Sequence, residues 1–295
     1  MMRIIDQGLH SRNGLVRKSS AMLLQAPKCV SRQLSSPQDY EVFPPVLANS
    51  FPKSGTHLLD QIVGALPDRR NYGAFLSSMT SSFRFTRRTS AESCRFLEST
   101  APGEIVRAHL FFDPEVCDAA TARRFVHYFI YRDLRDVVLS EAHYYRSINR
   151  WHRLHRRFRD APSIDAALQL AIEGIDDPTG RIYYPDIGAR FRHYEQWTKS
   201  PHTFAVRFED LTSDGRDEVV RLMINYYLDR CTRKGDADAL TSRAIANITP
   251  EKSHTFRKGK KGGWSEAFNE RHRETFKRLA GDLLIEHGYE VSSDW

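Results

Sequence analysis

The amino-acid sequence predicts an α/β fold, a three-layer sandwich in which a central parallel sheet lies between helices. Two observations support this: short apolar runs of strand length alternate with segments of helical periodicity, and polar loops follow several of these runs. The composition, with 40% hydrophobic and 27% charged residues over 295 positions, is typical of a globular protein. No apolar run approaches the roughly 20 residues of a membrane-spanning helix, so we expect no membrane span.

The first predicted unit is a strand, a polar turn and a helix. An apolar strand covers residues 46–48, and a turn over residues 51–56 follows it. Apolar residues then recur at helical spacing before Pro67, at Leu58, Leu59, Ile62, Val63 and Leu66. Ligands of parallel sheets gather at the carboxyl ends of strands, so this turn is a candidate binding loop.

Three further strands are predicted, at residues 104–109, 125–131 and 203–208. The run at 125–131 is the strongest, because it is β-branched and aromatic and lacks glycine and proline. A helix follows it, with Asp133 as its N-cap and Asp136 in its first turn. Two more helices are expected at residues 219–227 and 270–288. Strands separated by helices predict a parallel sheet covered on both faces.

Residues 1–40 differ from the rest of the chain, with six basic residues, two acidic residues and no lasting period. We expect a basic, disordered leader there and a single folded domain over residues 41–295. An organelle transit peptide is the alternative, since such segments are rich in Arg and Ser and poor in acids. The four cysteines are scattered, which favours a reducing compartment, and hence the cytoplasm, over a disulfide framework or a zinc site.

Residues 52–56, Pro-Lys-Ser-Gly-Thr, form a turn suited to a phosphate-like group. A turn between a strand and a helix offers backbone N–H groups and the positive end of a helix dipole. Lys53 adds a full charge, and Ser54 and Thr56 add hydroxyl groups. Gly55 lets the chain approach a ligand closely. In loops that bind ATP or GTP the Lys follows the Gly, whereas here it precedes it; an ordinary capped turn is the alternative.

In this residue order the turn resembles the 5′-phosphosulfate loop of the sulfotransferases, which have a P-loop type of fold. These enzymes use 3′-phosphoadenosine 5′-phosphosulfate (PAPS) as donor. The resemblance implies that the donor is bound by Lys53, Ser54, Gly55, Thr56 and His57. It extends to Arg132 and Ser140, which match by their spacing the pair that binds the donor's 3′-phosphate in this family.

A third element near the C-terminus resembles the family's R-K-G-x-x-G-D-W segment, which closes over the same 3′-phosphate. It covers residues 256–264 and implies that Arg257, Lys258 and Gly259 bind the donor. Gly263 stands where many members carry Asp, so how this loop is held departs from the family pattern.

The fourth element, residues 105–110, resembles the K-T-H-L strand that carries the general base of the family. The resemblance implies that His109 is the base and that Arg107, in place of the usual Lys, stabilises sulfuryl oxygens. An imidazole with a pKa near ~6.5 suits proton removal at neutral pH. Phe208 matches a Tyr that lies near adenine in the family, and Leu58 replaces a Trp that stacks on it.

Together these matches imply a PAPS-dependent sulfotransferase that acts on a hydroxyl, less readily an amine, of an unidentified acceptor. Lys53 would stabilise the departing phosphate, and no metal is required. A small molecule, a lipid or a glycan would be the acceptor, and nucleic acid is not expected as a partner. One alternative is a P-loop kinase-like phosphotransferase. The other is a non-catalytic polyanion-binding module, and the net charge of +7 is the feature that favours this module.

Two segments are candidates for the acceptor side of the site. Residues 143–159 contain six Arg, three His and no acid, interleaved with aromatic residues. They form either an acceptor groove for an anionic or sugar-like molecule or a solvated basic helix, and a nucleic-acid surface would have a similar sequence. Residues 71–100 are rich in Ser and Arg and lack a clear period, which is typical of loops that shape a pocket.

Overall fold

The structure is a computed structural model that describes residues 8–9, 14–80, 86–249 and 262–295. Its strands form one sheet in the order β2-β3-β1-β4-β5, and every neighbouring pair is parallel. The strands are β1 (Val46–Ser50), β2 (Phe75–Ser77), β3 (Ile105–His109), β4 (Val126–Tyr131) and β5 (Thr203–Arg207). The predicted parallel sheet is therefore confirmed.

Helices connect the strands and cover both faces of the sheet. In chain order they are α1 (Gly14–Leu23), α2 (Gln25–Gln33), α3 (Pro37–Val42), α4 (Thr56–Gly64), α5 (Ser90–Glu98), α6 (Pro114–Ala122), α7 (Leu134–His143), α8 (His155–Arg159), α9 (Ile164–Glu173), α10 (Ile187–Glu195), α11 (Arg216–Leu228), α12 (Ala237–Asn247), α13 (Trp264–Ala267) and α14 (Glu270–Glu286). A π-helical turn covers Tyr144–Ile148. Among the described helices, none combines the length and the hydropathy that crossing a membrane requires.

The core lies on both sides of the sheet, because successive side chains of a strand point to opposite faces. Val46 and Ala48 of β1 pack under α4, α11 and α12, whereas Leu47 packs under α5 and α6. Phe129 of β4 packs against α7, α9, α10 and α14. All four side chains are fully buried. Burial of both faces leaves the strand ends as the place where polar side chains can meet a ligand.

Residues 71–100 contain regular structure that their hydrophobic period does not indicate. β2 has three residues at the edge of the sheet, too few for a strand period to be recognised. α5 begins after Thr89, whose side chain accepts a hydrogen bond from the Glu92 N–H while Glu92 Oε2 accepts one from the Thr89 N–H. This Thr-x-x-Glu capping box is present in the sequence and is a signal from which the helix could be predicted.

Part of the expected leader is helical and in contact with the sheet. α1, α2 and α3 lie within residues 14–42, and the Nζ atom of Lys28 lies 2.8 Å from Oε1 of Glu104. Glu104 is fully buried directly before β3, so its carboxylate needs the cation that Lys28 provides. The described part of the leader is therefore helical, whereas we expected residues 1–40 to be disordered. A domain boundary near residue 41 stays a prediction.

Candidate active site

The carboxyl ends of β1, β3 and β4 bring the predicted site residues to one edge of the sheet. Lys53 lies in the loop after β1, His109 is the last residue of β3, and Arg132 directly follows β4. Parallel pairing of β1 with both β3 and β4 aligns the three strand ends. Residues that are far apart in the sequence therefore become neighbours around the loop that follows β1.

The loop after β1 is a tight turn that leads straight into a helix. Lys53 and Gly55 both have left-handed backbone, with φ of 67° and 102°, and α4 starts at Thr56. A Cβ atom on Gly55 would lie 2.6 Å from Cδ2 of Phe208, so only glycine fits there. Ser54 is fully buried, and its Oγ has no hydrogen-bond partner among the described residues. A buried hydroxyl in this state, beside the N–H groups that begin α4, suits a ligand oxygen.

Lys53 is a cation in a largely buried setting. Its Nζ atom lies 3.8 Å from the ring centroid of Tyr144, whose π face stabilises the charge. Burial lowers the pKa of Lys53 to about 8, the Glu141 carboxylate raises it and the Arg132 guanidinium lowers it. Lys53 is therefore mostly protonated at neutral pH and is available to neutralise an anion.

Glu141 is a buried acid of α7 that acts on Lys53 through its charge. Its Oε2 atom accepts hydrogen bonds from the Tyr184 hydroxyl at 2.8 Å and from Nη2 of Arg190 at 2.9 Å. Burial raises the pKa of Glu141, while Arg190, Tyr184 and Lys53 lower it. Glu141 thus places a negative charge close enough to act on Lys53, which lies in the loop that follows β1 (residues 51–55, here called the candidate donor loop).

His109 is held in one orientation by Ser50. Its Nδ1 atom lies 2.9 Å from the Ser50 carbonyl oxygen and 3.0 Å from Ser50 Oγ. A carbonyl oxygen can only accept, so Nδ1 carries the hydrogen and Nε2 is the basic nitrogen. Ser50 Oγ is in turn 2.7 Å from Thr56 Oγ1, which links His109 to the first residue of α4.

The imidazole of His109 is neutral at physiological pH. Burial lowers its pKa to about 4, the hydrogen bond to Ser50 raises it, and the charges of Lys53 and His57 lower it. A neutral imidazole with its unprotonated nitrogen at Nε2 can accept a proton from a hydroxyl group.

Arg132 lies against Phe208 and is bonded to Asp136. Its guanidinium carbon is 4.5 Å from the Phe208 ring centroid, and its Nη2 atom is 3.0 Å from Oδ2 of Asp136. Asp136 also accepts hydrogen bonds from the backbone N–H groups of Gly262 at 2.9 Å and Trp264 at 3.1 Å. One buried carboxylate therefore joins Arg132 to the chain that follows the basic segment.

The other predicted site residues have different environments. Ser140 is half-buried on α7, and His57 is exposed in the first turn of α4. Nε of Arg107 is 2.7 Å from Oδ1 of Asp60 on α4, so this guanidinium is paired with an acid. Phe208 is only 8% exposed and packs against the candidate donor loop. Outside the described residues lie Arg257, Lys258 and Gly259.

Sequence reasoning did not identify three residues that shape the site: Glu141, Asp136 as a backbone acceptor, and Tyr144. Glu141 stands next to Ser140 and follows the apolar run Val137–Leu139, and an acid beside such a run is a candidate for a paired, buried charge. Nothing local in the sequence indicates that Asp136 reaches residues 262–264, which are more than a hundred positions away.

One cluster of potential metal ligands is present in the described part of the chain, formed by Glu195, Glu286 and His287. The Nζ atom of Lys199 lies 3.0 Å from Glu195 Oε1 and 2.6 Å from Glu286 Oε1. A lysine ammonium thus already forms an ion pair with each carboxylate, and we assign no metal to this cluster.

Comparison with known proteins identifies the family and the fold. The family model for the sulfotransferase domain matches residues 43–288. No curated protein matches the chain. A solved mouse sulfotransferase, SULT7A1 complexed with PAP, is 15% identical, with 86% of this chain and 88% of that chain covered and a TM-score of 0.55. A retinol dehydratase, in complex with androsterone and the inactive cofactor PAP, is 16% identical, with 81% and 80% covered and a TM-score of 0.54.

The family match spans most of the chain, so the chain belongs to the sulfotransferase family. The predicted membership in this family is confirmed, as is the α/β fold. This membership confirms the predicted enzyme class, a sulfotransferase that uses PAPS as donor.

Proposed function

We propose that this protein transfers the sulfuryl group of PAPS to a hydroxyl group of an acceptor, with His109 as general base. The observation that supports this best is the chain of contacts from Thr56, directly after the candidate donor loop, through Ser50 to His109. It couples the loop that would hold the donor to a neutral imidazole whose basic nitrogen is Nε2.

In the proposed step, Nε2 of His109 takes the proton of the acceptor hydroxyl, and the acceptor oxygen forms a bond to sulfur. The bond between sulfur and the bridging oxygen of PAPS breaks in line, and 3′-phosphoadenosine 5′-phosphate (PAP) leaves. Lys53 neutralises the charge that develops on the departing phosphate, and Arg107 stabilises the sulfuryl oxygens. The step as proposed uses no metal.

The remaining donor contacts are proposed from the resemblance to the family, and their chemistry suits an anion. For the 5′ side we propose Ser54, Gly55, Thr56 and His57. For the 3′-phosphate we propose Arg132, Ser140, Arg257, Lys258 and Gly259. The buried Oγ of Ser54 and the guanidinium of Arg132 support these assignments. The ring of Phe208, which packs on Gly55 and Arg132, would border the adenine.

The acceptor would be a small molecule, a lipid or a glycan that presents a hydroxyl. The cytoplasm is the proposed compartment, because the four cysteines are free in the structure, as is usual in a reducing environment. The catalytic domain is proposed to begin near residue 41.

A thermal-shift experiment tests the nucleotide specificity. PAP without magnesium should raise the melting temperature by several degrees, since a ligand at a hundredfold excess over Kd adds about 2.7 kcal/mol. Stabilisation by ATP–magnesium alone would instead support a kinase-like phosphotransferase. Stabilisation by neither would support a polyanion-binding module.

Transfer itself is tested with labelled PAPS and pools of hydroxylated acceptors, followed by mass analysis of labelled products. A sulfated product that forms with the natural protein and is lost in Lys53→Ala supports the proposal. Unchanged PAP affinity in Lys53→Ala would remove this loop from the donor site.

A further inference from the structure

Residues 148–159 form a basic surface that the proposed transfer step does not use. Its exposed members are Ile148, Arg150, Trp151, Arg153, Arg156, Arg157 and Arg159, which we call the Trp151 surface. We propose that the Trp151 surface docks the protein on an anionic phospholipid bilayer.

The exposed side chains stand on a packed scaffold. Leu154 and Phe158 of this segment are buried, as is Tyr145 shortly before it, and the Tyr145 ring centroid is 5.1 Å from that of Phe158. Nδ1 of His155 lies 2.7 Å from the Tyr145 carbonyl oxygen, and Nη1 of Arg146 donates to the Phe158 carbonyl oxygen at 3.1 Å. The inward residues hold the segment, so the outward residues form a fixed surface.

Charge on this surface is mostly uncompensated. Arg156 and Arg159 share one acid, Asp160, at 3.7 and 2.9 Å. Arg150, Arg153 and Arg157 are exposed, and within the described ranges no carboxylate forms an ion pair with them. A cluster of cations without acids attracts anionic headgroups, on the order of fivefold in partition for each Arg or Lys.

The exposed apolar groups favour a bilayer over a glycan or a nucleic acid. Trp151 is 93% exposed and Ile148 is 48% exposed. A groove that stacks a sugar ring or a base would cover part of the indole, whereas an indole at 93% exposure projects away from the protein. Trp is enriched at membrane interfaces, where its ring and nearby cations both lie at the level of the headgroups.

The Trp151 surface is continuous with the candidate active site. The Trp151 backbone N–H donates to Oδ1 of Asn149 at 3.3 Å, and Nδ2 of Asn149 donates to the Tyr144 hydroxyl at 2.9 Å. The Tyr144 ring in turn carries the Lys53 ammonium. Docking through this surface would bring the candidate donor loop close to the lipid headgroups.

Vesicle sedimentation tests the proposal with the full chain. We expect binding to phosphatidylcholine vesicles that contain about a third phosphatidylserine, and little binding to phosphatidylcholine alone. The triple variant Arg150→Gln, Arg153→Gln, Arg157→Gln should bind about 100-fold more weakly. Trp151→Ser should bind about tenfold more weakly, because an indole leaves the interface.

A matched control removes the same charge elsewhere. Arg95→Gln, Arg230→Gln, Arg278→Gln changes three exposed arginines outside the Trp151 surface and should bind vesicles like the natural protein. All variants should retain PAP affinity, which separates loss of docking from loss of folding or of the donor site. If the control loses as much vesicle binding as the triple variant, net charge alone explains the effect and the proposal is wrong.

Quenching of tryptophan fluorescence by brominated lipids tests whether the Trp151 indole enters the bilayer. Quenching should be strong for the natural protein and weak for Trp151→Phe, since Trp197 is fully buried and Trp264 and Trp295 are half-buried. Binding to heparin without binding to anionic vesicles would overturn the proposal and assign the surface to a soluble polyanion.

Discussion

At the scale of single residues, burial and one hydrogen bond define the chemistry of His109. The Ser50 carbonyl selects the tautomer that leaves Nε2 basic, and burial keeps the ring neutral. Lys53 depends in the same way on Tyr144 and on the charge of Glu141. Each group takes its protonation state from neighbours that are not adjacent in the chain.

Replacing His109 by Ala should lower turnover by about 10²- to 10⁴-fold, the usual effect of losing a general base. PAP affinity should stay near that of the natural protein, because the hydrogen bond of the ring goes to Ser50 of β1 and not to a residue proposed to bind the donor. The exposed His202 provides a control, and His202→Ala should turn over normally. Normal turnover of His109→Ala would exclude this residue as the base.

The pH profile follows from the lowered pKa of His109. Protonation removes the base, so kcat/KM should stay level from pH 7 to about 5 and fall as the pH passes through about 4. If the base were an exposed histidine, kcat/KM would fall near about pH 6.5 instead. Tryptophan fluorescence at each pH checks that the protein stays folded, and an acid limb near pH 6.5 would contradict the environment described for His109.

Glu141→Gln should lower the pKa of Lys53 below about 8, because it removes the negative charge that favours the ammonium. Above this pKa the lysine is neutral, so PAP affinity should begin to weaken at lower pH than in the natural protein. Calorimetry of PAP binding between pH 6 and 9 measures the shift. Tyr184→Phe keeps the acid and removes one hydrogen bond, so PAP affinity should weaken at the same pH as in the natural protein. If PAP affinity weakens at the same pH in all three proteins, Glu141 does not raise the pKa of Lys53.

At the scale of elements, the unit β1–loop–α4 builds the proposed donor site. β1 is buried on both faces and positions Ser50, the loop takes two left-handed residues, and α4 begins at Thr56. The side chain of Phe208, directly after β5, fills the space beside Gly55. The loop is therefore specified jointly by its own residues and by a strand more than a hundred residues away.

Gly55→Ala should destabilise the protein by about 1–3 kcal/mol, because alanine is strained at φ 102° and its Cβ would meet Phe208. PAP affinity should fall by at least about tenfold as the loop moves. Gly64→Ala in the same helix is the control; its Cβ would be 3.9 Å from the nearest atom, and a gain of about 0.5–1 kcal/mol is expected. Urea unfolding and PAP titration of both variants compare the two sites, and intact PAP binding in Gly55→Ala would refute the steric argument.

At the scale of the whole molecule, the N-terminal helices are joined to the sheet by a buried ion pair. Lys28 comes from α2, and Glu104 immediately precedes β3, so the pair spans two distant parts of the chain. Burial raises the pKa of Glu104 while Lys28 lowers it. The carboxylate is therefore tolerated in the interior only while its partner is present.

Lys28→Met should destabilise the fold by about 3–5 kcal/mol at pH 7, since it leaves a buried carboxylate uncompensated. A folded-state pKa raised above the unfolded value means that the penalty grows as the pH rises and is smallest near pH 4.5. Unfolding curves at pH 5 and pH 7 test this sign. Arg32→Met, at an exposed position of the same helix, should have little effect, and Lys28→Met combined with Glu104→Gln should recover much of the loss. A penalty that is equal at both pH values would exclude the ionised carboxylate as its cause.

Most strands of the sheet and the loop after β1 could be predicted from the sequence. Hydrophobic periodicity located four of the five strands, and turn chemistry located the loop at Lys53 and Gly55. The sequence prediction lacks β2, because a three-residue edge strand is too short to show a period. It also lacks α5, whose start is indicated only by the capping box at Thr89 and not by hydrophobic period. The expectation of an unstructured leader rested on composition, which does not reveal that Lys28 has a buried partner at Glu104.

The chain's own pattern determined four of the five strands, the turn after β1 and membership in the sulfotransferase family, because the signals for these features lie in residues close together in the sequence. Tertiary structure alone decided the tautomer of His109, the contact of Lys53 with Tyr144 and the junction at Asp136. These features depend on burial and on hydrogen bonds between distant segments, and burial and pairing exist only once the chain has folded.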